Sequence, residues 1–440
     1  MPPMTRKILA ASLAVLFTVS MVFVGFTNDV QGHSITENID KSFILCAIET
    51  NGQLIYPDND IDALVGGTAG VFYPESWTFV LIEESDLADA DKDDAFSDHA
   101  TVNGQDHDAD QHYNCTGDAI DNASAPGPSI SVDRNDVVQI RLVSDIDNVH
   151  IHSIDQHALN GDEHVNSGPI APGHSKTWIW KAGEAGSFLY HCAANGLFPL
   201  WTHINNGMYG NIVVQPDNEP KPEAPVAEYN IMFADMYTKA TEVDNEHEFD
   251  FDAFLAGDNN IMVTNGQGFN YAPFIVASWD DDEHTSIDLN TIIGDGSGGV
   301  PILAPVGEVT RWYITNPGPN NFLAWHFIAG QMDIRDGSTP AKLMTPIANE
   351  ETWTVPPGSS STTETVFQSV GPYVGITHKL NDVVKGGAFV VVACDVDNQE
   401  NNEANGLSEL LCNDLFDINS IEDIKAFNEA VNPKVNNKEI

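Results

Sequence analysis

The stretch Phe188–Gly210, FLYHCAANGLFPLWTHINNGMYG, places a cysteine, two histidines and a methionine in one short run, with His191 directly against Cys192. Lone cysteines and methionines in β-proteins are usually packing residues. Here Cys192, His203 and Met208 follow one another in order, and thiolate, imidazole and thioether together suit a metal that cycles between Cu(I) and Cu(II). Such a site needs a second imidazole. Val149–Gly161, VHIHSIDQHALNG, offers His152.

Strand parity divides the histidines between two centres. Neighbouring residues of an extended chain point to opposite faces. With Cys192 on one metal, His191 turns away from it. His152 and His157 are an odd number of residues apart, and Asp155 shares parity with His157. One set is therefore His152, Cys192, His203 and Met208. The other holds His157 and His191 and lacks at least one ligand.

Around this stretch the signals are those of strands. Val137–Val143, Thr177–Ala182, Ser187–Cys192 and Asn211–Gln215 are short β-branched and aromatic runs separated by Gly- and Pro-rich turns. A second group follows at Glu228–Phe233, Val309–Thr315, Glu351–Val355, Thr363–Gln368 and Gly387–Ala393. The spacing predicts an all-β protein of two tandem Greek-key β-sandwiches, covering 33–215 and 227–395. The charged, proline-rich segment 216–226 is the expected linker. PGHSKTWIWKAGEAGSFLYHC and PGSSSTTETVFQSVGPYVGITH stand at equivalent places in the two halves, as divergent copies would.

Two segments fall outside the repeat. Residues 83–125, rich in Asp and carrying His99, His107 and His112, read as an acidic surface insertion; residues 396–440 read as a polar tail with a short helix at Ile421–Val431. At the N-terminus, Arg6-Lys7 precede an apolar run, Ile8–Phe26, so that 1–32 reads as a signal peptide or membrane anchor and the body as secreted or extracytoplasmic. In that setting Cys46 with Cys115 and Cys394 with Cys412 are plausible bridges, a connectivity the sequence leaves open, and Cys192 is the odd one out. With 65 acidic and 18 basic residues the formal charge is −47. This excludes nucleic acid as a partner and favours basic macromolecules.

HSIDQHALNG, YHC, the P-x-W-x-H run and GM-x-G resemble the motifs of copper-containing nitrite reductases, built from two cupredoxin domains. The resemblance implies one type 1 copper on His152, Cys192, His203 and Met208, and one type 2 copper on His157 and His191. HKLNDVVKGG resembles the segment that carries the family's third type 2 histidine, giving His378. FLAWHFIAG resembles the segment of its active-site histidine, giving His326. Implied with these are a homotrimer with the type 2 site between subunits, nitrite as substrate, Asp155 and His326 as catalytic proton donors, and electron passage through Cys192–His191. A small basic cupredoxin or cytochrome is the expected donor. Two departures stand out: the ten residues Ala193–Thr202 between Cys192 and His203 are more than the family usually has, and Gln156 replaces an aromatic residue. The alternatives are a laccase-like two-domain multicopper oxidase, which needs further His-x-His pairs, and a type 1 electron carrier without the second metal.

Overall fold

In the computed structural model of the chain, the described residues are 39–49, 52–56, 70–89, 112–158, 168–194, 200–216, 225–243, 245–272, 300–335 and 347–436. The N-terminal signal or anchor segment, the centre of the acidic insertion with His99 and His107, and most of the linker lie outside them.

Binary pattern builds the first sandwich. In Val137–Ser144, Val138, Ile140 and Leu142 are buried while Gln139 and Arg141 lie nearer the surface; in Ser175–Lys181, Trp178 and Trp180 turn in and Ile179 and Lys181 turn out. These strands form a sheet in the spatial order Ser175–Lys181, Val137–Ser144, Lys41–Glu49, Trp77–Ile82. The facing sheet runs Ser129–Asp133, Tyr209–Gln215, Gly186–His191, Asp155–Gln156. Phe43, Phe79, Ile140, Trp178 and Ile212 fill the space between them.

The second sandwich repeats the plan. Ala227–Met236 lies parallel to Val309–Gly318 as Lys41–Glu49 lies parallel to Val137–Ser144, and Ile302–Pro305 is parallel to Ala388–Cys394 as Ser129–Asp133 is to Tyr209–Gln215. Its core is aromatic: Trp312 stacks on Tyr229 at 4.3 Å between centroids, and Trp325 on Phe389 at 5.8 Å. Burying side chains of this size contributes roughly 2–3 kcal/mol each from area alone. All-β architecture and internal duplication thus match the sequence reading.

Two readings need correction. The tail is not a polar appendage. Leu411, Cys412, Ile418, Ile424 and Phe427 join a core cluster with Leu189 and Tyr209 of the first sandwich and Met232 and Val390 of the second. Asn428 pins the tail helix by accepting from Leu303 N–H at 3.1 Å and donating to Leu303 C=O at 2.9 Å. The C-terminal edge of the insertion is likewise structural, since Tyr113–Cys115 pairs with Leu87–Asp89 and Cys115 is bonded to Cys46. Both expected disulfides, Cys46–Cys115 and Cys394–Cys412, are present, and Cys192 is a buried free thiol.

Candidate metal centres

The strand Gly186–His191 delivers the decisive dipeptide. It pairs antiparallel with Asp155–Gln156, placing His191 directly opposite Asp155. Directly opposed residues share a face, so Asp155 and His191 lie together and Cys192 turns to the other side. Its N–H closes onto Met208 C=O at 3.0 Å.

On the Cys192 side the thiol is fully buried. Its Sγ lies 3.3 Å from His203 Nδ1 and 3.9 Å from His152 Nδ1, and it accepts from Ser153 N–H at 3.4 Å. Met208 is fully buried in the same cluster. Gly207, at φ +111°, makes the turn that returns the chain to Met208, and a Cβ there would sit 2.3 Å from Ala125 Cβ. Burial pushes the thiol up to about 11, so without metal it holds its proton. A cation on this sulfur would displace that proton. Trp77 meets the rings of His152 and His203 edge-on, at 5.8 and 5.0 Å between centroids.

The residues between Cys192 and His203 end in a short helix, Leu200–Asn205. Second-sandwich residues hold it. Trp201 stacks on Phe254 at 5.5 Å, and Asn205 Oδ1 accepts from Tyr237 N–H at 2.8 Å. Trp201 and Asn205 thus seat the His203 segment on the neighbouring sandwich.

On the other face, His157 Nε2 and His191 Nε2 stand 3.1 Å apart. His191 Nδ1–H donates to Cys192 C=O at 3.0 Å, leaving Nε2 as the lone-pair nitrogen. Burial lowers the His191 pKa, which keeps the imidazole neutral. Asp155 Oδ2 lies 3.6 Å from His157 Nε2 and 3.7 Å from His191 Nε2. The His157 imidazole holds the Asp155 carboxyl below the usual carboxylate range.

The ligand atoms of His152, Cys192 and His203 all lie within 4.8 Å of one another, as do those of Asp155, His157 and His191. Among the described residues His378 joins neither group. It sits just beyond the strand Gly371–Thr377, its ring 5.2 Å from that of His326, whose Nδ1 donates to Glu351 C=O. Exposed apolar residues border this pair in sequence: Phe322 and Ile328 at the ends of the His326 strand, and Leu380 and Val384 after His378.

A family model for multicopper oxidase matches residues 111–219. Over 267 residues, 60% of each chain, the protein is 28% identical to the copper-containing nitrite reductase of Neisseria meningitidis. It is 27% identical to that of Alcaligenes xylosoxydans over 61% of this chain and 76% of the relative. The solved copper nitrite reductase of Nitrosomonas europaea superposes with a TM-score of 0.55 at 22% identity, covering 81% of this chain and 94% of that one. In sequence the chain is similar to copper-containing nitrite reductases, and it shares the fold of a solved one. The match thus spans about 60% of the Neisseria relative's length.

Sequence reasoning missed three members of this cupredoxin site: Glu49, which reaches His152; Trp77, against both rings; and the Ser153 N–H on the sulfur. No local signal marks the first two, because they lie on other strands.

Proposed function

We propose that this protein binds one type 1 copper on His152, Cys192, His203 and Met208 and one type 2 copper on His157, His191 and His378, and reduces nitrite to nitric oxide. The observation that carries the reading is the pair of donor sets on opposite faces of one dipeptide, His191–Cys192. The donor chemistry fits: a buried thiol between two imidazole nitrogens on one side, and two imidazoles converging through Nε2 on the other. When bound, copper supplies one-electron redox chemistry at the first set and a Lewis-acidic, open position at the second.

The reaction consumes one electron and two protons: NO2⁻ + e⁻ + 2H⁺ → NO + H2O. An electron arriving at Cys192 leaves by the shortest covalent route, through its peptide bond to His191. Asp155, within reach of both Nε2 atoms, takes up one proton and passes it to the substrate, and His326 passes the other. His378 and His326 reach the His157–His191 pair from a second copy of the chain. Supporting this homotrimer are the exclusion of His378 from its own chain's histidine pair among the described residues, and the exposed Phe322, Ile328, Leu380 and Val384 beside it. The strong negative charge fits a small basic electron donor. The two disulfides support an extracytoplasmic location.

The laccase-like alternative needs a further histidine cluster for a trinuclear site, and beyond the pairs His326–His378 and His112–His174 the described residues offer no third group of three or more ligand residues that contains histidine. Purified copper-loaded protein with nitrite and a chemical reductant, without oxygen, should release nitric oxide and sediment as a trimer. A copper-replete protein that consumes oxygen but leaves nitrite intact would favour the oxidase instead.

A further inference from the structure

Glu49 closes the strand Lys41–Glu49, opposite Trp77. A single oxygen, Oε1, gathers four nitrogens. It accepts the backbone N–H of His150 at 2.8 Å and of Val149 at 3.2 Å, and faces His150 Nδ1 at 3.0 Å and His152 Nε2 at 3.1 Å. The Glu49 side chain is 13% exposed and that of His152 0%, so water screens the contact little. The strand end is fixed in turn, since Glu49 N–H donates to Asn148 Oδ1 at 2.9 Å and Asn148 Nδ2 donates to Ala47 C=O at 2.7 Å. His150 lies against the Trp77 ring at 4.7 Å between centroids. The ring of His152 is thus gripped at its far nitrogen while Nδ1 is aimed at Cys192 Sγ.

We propose that Glu49 is a positioning residue for the copper centre at Cys192, fixing Nδ1 as the coordinating nitrogen of His152 and lowering the centre's reduction potential. The inference rests on reading His152, Cys192, His203 and Met208 as a copper site. Carboxylate–histidine pairs behind a metal fix the tautomer and raise ligand basicity. An anion on the ligand's far side also stabilises the more positive Cu(II) over Cu(I) by direct Coulomb attraction in a poorly screened site. Both effects make an electron at Cys192 easier to pass on to His191.

Outer-shell partners of this kind are typically worth about 10–100-fold in metal affinity. If the whole loss falls on Cu(II), at 59 mV per tenfold for one electron the midpoint rises by roughly 60–120 mV. The test is potentiometric titration of the visible thiolate–copper absorption in the full-length, copper-loaded protein and in Glu49→Gln, which keeps the shape and removes the charge. The expected result is that upward shift with the band and the copper content retained. An unmoved midpoint with an intact band overturns the role of Glu49 alone. Absence of any such band in the wild-type protein overturns the copper reading and this inference with it. Should the variant not fold, ¹⁵N NMR of metal-free wild-type protein decides: a proton on His152 Nε2 and a bare Nδ1 are expected, and the opposite tautomer would refute the proposal.

Discussion

Replacing Asp155 with asparagine separates proton delivery from metal binding. The Asp155 oxygen stands 3.6 and 3.7 Å from the two Nε2 atoms, beyond ordinary hydrogen-bond length. The histidines are held by other bonds: His157 N–H donates to Leu189 C=O at 2.9 Å, and His191 Nδ1–H to Cys192 C=O. An amide in place of this carboxylate would therefore keep shape, fold and both donor sets while losing the group that takes up and passes on a proton. A positioned general acid contributes about 10²- to 10⁴-fold, or about 3–5 kcal/mol at 1.36 kcal/mol per tenfold. Steady-state nitrite turnover in the absence of oxygen, with copper counted in the same samples, should show kcat reduced by that factor and metal content unchanged. Full kcat in Asp155→Asn would refute the proton-donor role. Loss of one copper per chain would make Asp155 a support of the metal site instead.

Other consequences follow from separate parts of the fold. Cys192→Ala should abolish the visible thiolate absorption and one copper per chain while leaving the His157–His191 centre detectable by electron paramagnetic resonance; loss of both signals would contradict two independent donor sets. Asn428→Leu orphans the buried N–H of Leu303, whose C=O keeps the Tyr229 hydroxyl as donor at 3.0 Å. At about 1–3 kcal/mol for one unsatisfied group, urea unfolding should show a loss of roughly 1–3 kcal/mol, and a loss below about 0.5 kcal/mol would contradict the clamp. Asp235 is fully buried, and burial raises its carboxyl from 3.8 to about 6. Between those values the folded protein keeps a proton that the unfolded chain has released. Stability from this group is therefore complete below pH 3.8 and lost as pH rises through about 6. Asp235→Asn should flatten that slope in thermal melts between pH 4 and 7, and an unchanged slope would assign it elsewhere.

What was legible in the sequence was mostly local. The period-two burial of Val137–Ser144 and the opposite facing of His191 and Cys192 both follow from strand geometry. The tail helix was legible too: Ser420 caps it by accepting from Asp423 N–H at 3.2 Å, and it runs Ile421–Val431 as read. Its destination was not, because an amphipathic helix does not announce which core it completes. The helix Leu200–Asn205 escaped for the same reason, being held by Phe254 and Tyr237 of the other sandwich. Glu49 lies 103 residues before His152 and meets it only through sheet pairing and loop folding. His326 and His378 were identified by resemblance. Within one chain their rings meet each other rather than the His157–His191 pair.

The central claim, two coppers divided by one peptide bond with nitrite at the second, is tested most directly by electron paramagnetic resonance of the copper-loaded protein with and without nitrite. The account predicts two copper ions per chain and two Cu(II) signals. Nitrite should shift only the signal that survives Cys192→Ala. One copper per chain, or a second signal indifferent to nitrite, would contradict it.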